Sequence, residues 1–126
     1  MSRAVADTSV FIAQEAGRNL AALPSDLAVS VITTAELELG VLRAKDTATR
    51  ALRLATLTRA RARPPLPIDA EVGSCFARIA ATEREAGRKV RLNDAWIAAT
   101  AMRHGAAVVT QDADFSAFTD VTVIRV

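Results

Sequence analysis

Five acids stand out by their position in the chain: Asp7, Glu36, Asp94, Asp112 and Asp114. Each falls just after a predicted strand or in the first turn of a predicted helix. In open α/β sheets, strand C-termini and helix N-termini gather along one rim, where exposed helix N–H groups favour anions, whether carboxylate or phosphate. Acids from four separate segments could therefore converge there. With Cys75 the only cysteine and His104 the only histidine, a zinc site of Cys and His ligands cannot be assembled, so any metal must be held by oxygen. The same positions also suit local structure. Thr33-x-x-Glu36 matches a capping box, Asp7 could cap a first helix, and Asp94 with Asn93 could begin a later one. Asp112 with Asp114 could form a turn after Val109-Thr110. Taken singly, each acid is explained equally well as a cap or turn former.

Other chemistries fit less well. The single His104 excludes a metal-free nuclease built on paired histidines; at a predicted helix C-terminus beside Gly105 it complements the helix dipole. Cys75, in an apolar helical stretch, reads as a buried inert thiol. Trp96 lies on a helix with regularly spaced apolar residues and reads as core, and with no other Trp and no Tyr the chain lacks an aromatic stacking platform. A phosphatase or phospho-acceptor receiver also places Asp after its first strand. Here Ser9 stands where a phosphatase Asp-x-Asp motif needs its second Asp, and no Lys follows a late strand.

The elements that must position the acids alternate between short β-like and longer helical runs, an α/β pattern without repeats or a dividing linker. Strands are predicted over residues 4–7 and 27–31, with helices from about residue 9, over 34–44 and over 47–60. Pro64, Pro65 and Pro67 force an extended connector leading to a short strand near Ile68. Asp69 then caps a long helix ending at Gly87, and residues 93–104 form another, closed by Gly105. Residues 106–110 and 121–124 supply the last strands of a mainly parallel sheet covered by helices on both faces.

At 126 residues with 51% hydrophobic and 24% charged residues, the chain is expected to be one globular domain spanning residues 1–126. It has no apolar run long enough to cross a bilayer and no secretory pattern at its start, so a cytoplasmic location is expected. The net charge is +2, and fourteen of the sixteen basic residues are Arg. Residues 47–68 carry five arginines (Arg50, Arg53, Arg59, Arg61, Arg63) and no acid, a basic patch. Setting the five candidate acids aside leaves nine acids against sixteen bases, a surface able to hold an RNA backbone. Arg84, Arg88, Lys89 and Arg91, just before the Asp94 helix, are the best-placed candidates, although Glu83 and Glu85 interleave them.

The joint pattern is more specific than its parts. Val5-Ala6-Asp7-Thr8-Ser9, Thr34-Ala35-Glu36, the segment from Leu92-Asn93-Asp94-Ala95-Trp96 to Ala101, and Thr110-Gln111-Asp112-Ala113-Asp114-Phe115 occur in order. Over essentially its full length the chain resembles PIN domains, and its size with the Asn-Asp-Ala-Trp segment is similar to VapC toxins of VapBC toxin–antitoxin pairs. The resemblance implies a PIN-like three-layer sandwich. It makes Asp7, Glu36, Asp94 and Asp112 a carboxylate quartet, with Asp114 a more variable fifth member, and Thr8, Asn93 and Thr110 donors that orient carboxylates or water. Mg²⁺ is the implied cofactor, with Mn²⁺ as a substitute, since hard divalent ions prefer oxygen and lower the pKa of a bound water that attacks the phosphodiester. Also implied are cleavage of RNA, commonly tRNA or other structured RNA, to 5′ phosphate and 3′ hydroxyl ends, a homodimer, and a VapB-type antitoxin whose C-terminal segment covers the acidic pocket. A groove beside residues 9–17 and 34–44, where apolar residues exceed one core-facing stripe, is the expected antitoxin surface. The alternative is a PIN-like module that binds RNA or protein without cutting.

Overall fold

The computed structural model describes residues 3–113, 115, 118 and 120–126. Among them four short strands, β1 (Ala4–Ala6), β2 (Leu27–Val29), β3 (Ala107–Thr110) and β4 (Val123–Arg125), form one sheet in the order β2-β1-β3-β4. Every pairing is parallel, with Val5 opposite both Ala28 and Val108. Because side chains alternate across a strand, Val5 and Val108 enter one core with α4 (Ala70–Glu85) and α5 (Leu92–Arg103). Ala4, Ala6 and Val109 enter the other with α1 (Thr8–Glu15), α2 (Val31–Leu42) and α3 (Thr47–Ala60). The result is the expected three-layer sandwich around a parallel sheet. Alanine governs the closest approach: Ala95, Ala98, Ala99 and Ala101 are fully buried, so α5 lies against the sheet with Ile97 filling the remaining space.

Helix boundaries follow local chemistry. The Asp46 and Asp69 carboxylates cap α3 and α4 by accepting the N–H groups of Thr49 (2.8 Å) and Val72 (2.9 Å). Gly87 and Gly105, at φ of +75° and +61°, supply the left-handed turn that ends α4 and α5, where a β-carbon would be strained. Two expectations are corrected. The capping box at Thr33 does not form, because α2 begins three residues earlier with Ser30 as its cap, accepting from the Thr33 N–H at 3.3 Å; Glu36 is thereby released into the second turn. The strand near Ile68 is reduced to an isolated bridge between Ser30 and Leu66. Leu66 donates to the Val29 carbonyl (2.7 Å) and accepts from Val31 N–H (3.0 Å), while the flanking prolines have no N–H to extend a ladder. Among the described residues no helix is long and apolar enough to cross a membrane.

Candidate active site at the sheet edge

Strand β1 lies between β2 and β3, so the chain leaves β1 toward one side of the sheet and later returns on the other. Such a reversal opens a crevice at the strand C-termini. Asp7 follows β1 and Asp112 follows β3. Glu36 comes from α2 and Asp94 from the first turn of α5.

Asp7 is buried and occupies the N-cap position of α1, yet its carboxylate makes no capping bond. It turns instead to two hydroxyls: Ser9 Oγ and Thr110 Oγ1 donate to Oδ2 at 2.7 and 2.9 Å. These hydroxyls accept in turn from the backbone N–H groups of Gln111 (3.0 Å) and Asp112 (2.9 Å). The turn after β3 thus orders two hydroxyls, and the hydroxyls order the carboxylate that ends β1. Glu36 is gripped by both oxygens, with Thr8 Oγ1 donating to Oε1 at 2.6 Å and Asn93 Nδ2 donating to Oε2 at 3.2 Å. Three helices therefore meet at one carboxylate. The Thr8 hydroxyl also lies 3.1 Å from that of buried Thr33.

Asp94 is the third residue of α5 rather than its cap, and its Oδ2 lies 3.3 Å from Nη1 of Arg91. Its carboxyl is pushed up to about 6, first by burial, then by the charge of Asp7, with Asp112 and Glu36 adding and Arg91 opposing. That set of neighbours shows all four acids acting on one point. Asp112 is half-buried at the same edge, and Asp114 lies outside the described residues. Among the described residues no three acids stand close enough to hold an ion directly.

The basic candidates are more dispersed. Arg88 closes a forked pair on buried Glu83 (Nε to Oε2 2.7 Å, Nη2 to Oε1 2.9 Å), holding that carboxyl below its ordinary range. Arg84 and Lys89 are exposed, and Arg91 reaches the site itself. In the 47–68 segment, Arg61 pairs with Glu38, Arg63 with Asp26, and Arg53 donates to the Gly40 carbonyl; the basic patch is largely engaged within the molecule. Trp96 stacks on Phe76 with ring centroids 3.9 Å apart, as core packing requires. Sequence reasoning missed Ser9 and Thr33. A hydroxyl two residues after a carboxylate at a helix start is a recurrent local bonding pattern, which could have marked Ser9.

A cavity of about 590 Å³ opens from Thr8, Glu36 and Asn93 and continues past Ile12, Leu37 and Leu39.

The PIN domain family matches residues 4–121. Over 127 residues the chain is 47% identical to Ribonuclease VapC5 of Mycobacterium tuberculosis, covering 97% of this chain and 94% of that protein. It is 45% identical over 128 residues to Ribonuclease VapC4 of the same organism, covering 98% and 97%. The crystal structure of VapBC-5 from M. tuberculosis, a member of the VapBC family of toxin–antitoxin systems, is similar with a TM-score of 0.90 and 44% identity over the whole of both chains. The chain therefore belongs to the PIN-domain family, and within it to the VapC proteins.

Proposed function

We propose that this protein is a metal-dependent endoribonuclease, the toxin half of a VapBC-type toxin–antitoxin pair. The observation that carries the reading is the geometry of the rim: Ser9 and Thr110 aim Asp7, Thr8 and Asn93 hold Glu36, and half-buried Asp94 and Asp112 stand at the same edge, where burial and the neighbouring acids push the Asp94 carboxyl up. Like charges gathered at one rim disfavour one another's ionisation, a cost that a bound divalent cation removes. The donor set is all oxygen, which fits a hard divalent ion, Mg²⁺ or Mn²⁺. Asp7, Glu36, Asp94 and Asp112 would hold it, with Asp114 as a further candidate. Mg²⁺ keeps several of its waters and takes few carboxylates, in keeping with a cluster whose acids do not touch.

When bound, such an ion lowers the pKa of a water and neutralises charge developing on the phosphodiester. The chain's own residues set the geometry. Ser9 and Thr110 both donate to one oxygen of Asp7 and so fix the direction of the other. Thr8 and Asn93 hold Glu36 between three helices. Asp94, with its carboxyl near 6, takes up or gives a proton near neutrality in the absence of a cation.

The substrate on this reading is RNA, tRNA or another structured RNA, cut to leave 5′ phosphate and 3′ hydroxyl ends. The names of the two M. tuberculosis relatives support the ribonuclease assignment. The partner is a VapB-type antitoxin laid along the cavity between α1 and α2, where apolar Ile12 and Leu39 are half-exposed, and the toxin acts as a homodimer. Purified protein should cleave structured RNA in millimolar Mg²⁺ or Mn²⁺ and stop in chelator. Undiminished cleavage in chelator would contradict the reading, and RNA binding without any cleavage in metal would favour the non-cutting module.

A further inference from the structure

The link 86–91 between α4 and α5 ends on Arg91, and Arg91 leads into the turn that carries Asn93 and Asp94. The link's own position is fixed upstream, where Arg88 forks onto Glu83 and the Arg88 N–H donates to the Glu83 carbonyl at 2.8 Å. Among the contacts of the long Arg91 side chain are two supports. One is Oδ2 of Asp94, 3.3 Å from Nη1. The other is the ring of Phe118, 5.4 Å from the guanidinium carbon. Phe118 is buried and tilted against Phe115, so its ring belongs to the core.

Among the described ion pairs, those of Arg3, Arg61, Arg63, Arg88 and Arg103 end on Asp26, Glu38, Glu83, Asp69 or Glu71. The Arg91 pair ends on a candidate cation ligand. We propose that Arg91 is the resting counter-ion of the acidic site, holding Asp94 until a divalent cation displaces it and then taking a phosphate of the RNA substrate. This rests on the reading of the acids as a cation site.

Three physical points support it. The pair is partly exposed, with side chains 36% and 25% accessible, so it is screened by solvent and readily exchanged. A divalent ion carries twice the charge of a guanidinium and attracts all four acids at once. The face of Phe118 keeps the displaced guanidinium at the rim, where its planar fork matches a phosphate.

A cation beside a cation site lowers that site's affinity for metal. Titrating RNA-free protein with Mn²⁺ by calorimetry should therefore show Arg91→Gln binding Mn²⁺ about five- to tenfold more tightly than wild type, with Arg91→Lys within about twofold of wild type because the charge remains. The same Arg91→Gln change should raise the KM for structured RNA severalfold and reduce the salt slope of kcat/KM by about one. Opposite movements of metal and RNA affinity are the signature, since a variant that merely loosened the fold would weaken both. An Mn²⁺ affinity that is unchanged or weaker in Arg91→Gln, or an unchanged KM, overturns the inference. Wild type that binds no Mn²⁺ would overturn the cation site as well, whereas wild type that binds while Arg91→Gln does not tighten would sink the role of Arg91 alone.

Discussion

Of the four carboxylates, Asp7 has the most completely determined position, because two hydroxyls and two backbone N–H groups form a chain that ends on one of its oxygens. Asp7→Asn, Glu36→Gln, Asp94→Asn and Asp112→Asn should each lower RNA cleavage by about 100-fold or more. Thr110→Val, which removes an orienting donor, should cost about 10- to 100-fold; steady-state assays on folded variants check both. Asp94 carries a second consequence. Its carboxyl stands near 6 in the folded chain against 3.8 ordinarily, so its ionisation opposes folding. The penalty is absent below about pH 4, grows as pH rises through 6, and is complete at neutrality. Since Asp94 is partly exposed and screened, about 1 kcal/mol is expected rather than the full shift. Asp94→Asn should therefore be more stable than wild type in chelator at pH 7, with the gap closing toward pH 4 in thermal melts across that range. What the sequence could not reveal at this scale is pairing at a distance: Ser9 and Thr110 are neighbours only through the β1–β3 register. By contrast Asp7, Asp94 and Asp112 were legible, since each follows a strand or opens a helix, whereas Glu36 was marked by a helix start that in fact lies three residues upstream.

The βα alternation was readable because apolar runs, prolines and glycines punctuate the chain at element ends. Asp69, Gly87 and Gly105 act where local chemistry places them. The errors arose where two residues compete for one role. Ser30 and Thr33 both suit a helix cap, and Ser30 prevails because β2 ends at Val29, placing Ser30 at the first free position; that also explains why Glu36 faces the rim instead of closing a capping box. Ser30→Ala should destabilise the fold by about 1 kcal/mol through the lost cap, measurable by urea unfolding, with Thr33→Ser milder because it keeps the hydroxyl beside Thr8. The α4–α5 link has its own test. Glu83 is held below its ordinary pKa by Arg88, so this pair contributes stability above about pH 4.5 that is lost as pH falls further. Arg88→Met should remove that acid-side dependence and lower the melting temperature at pH 7 by leaving a buried carboxylate without its partner.

For the whole molecule, a parallel sheet with helices on both faces gathers the ends of β1 and β3 and the starts of α2 and α5, so residues far apart in sequence meet without any long loop. The charge layout also belongs to this scale. The arginines of 47–68 look like a nucleic-acid patch in the sequence, but folding sets Glu38, Asp26 and the Gly40 carbonyl against three of them, which composition could not disclose. Arg84 and Lys89 are exposed, and charge reversal at both should weaken RNA affinity and reduce its salt slope by up to about two. The central claim is that the fold keeps four carboxylates together for a divalent cation, and thermal melts of wild type and Asp94→Asn in chelator and in millimolar Mn²⁺ test it most directly. In chelator Asp94→Asn should melt higher, by about 4 °C. Added Mn²⁺ should raise wild type by mass action and raise the variant much less, narrowing or reversing the order. A wild type whose melting temperature does not move with Mn²⁺ would contradict the claim.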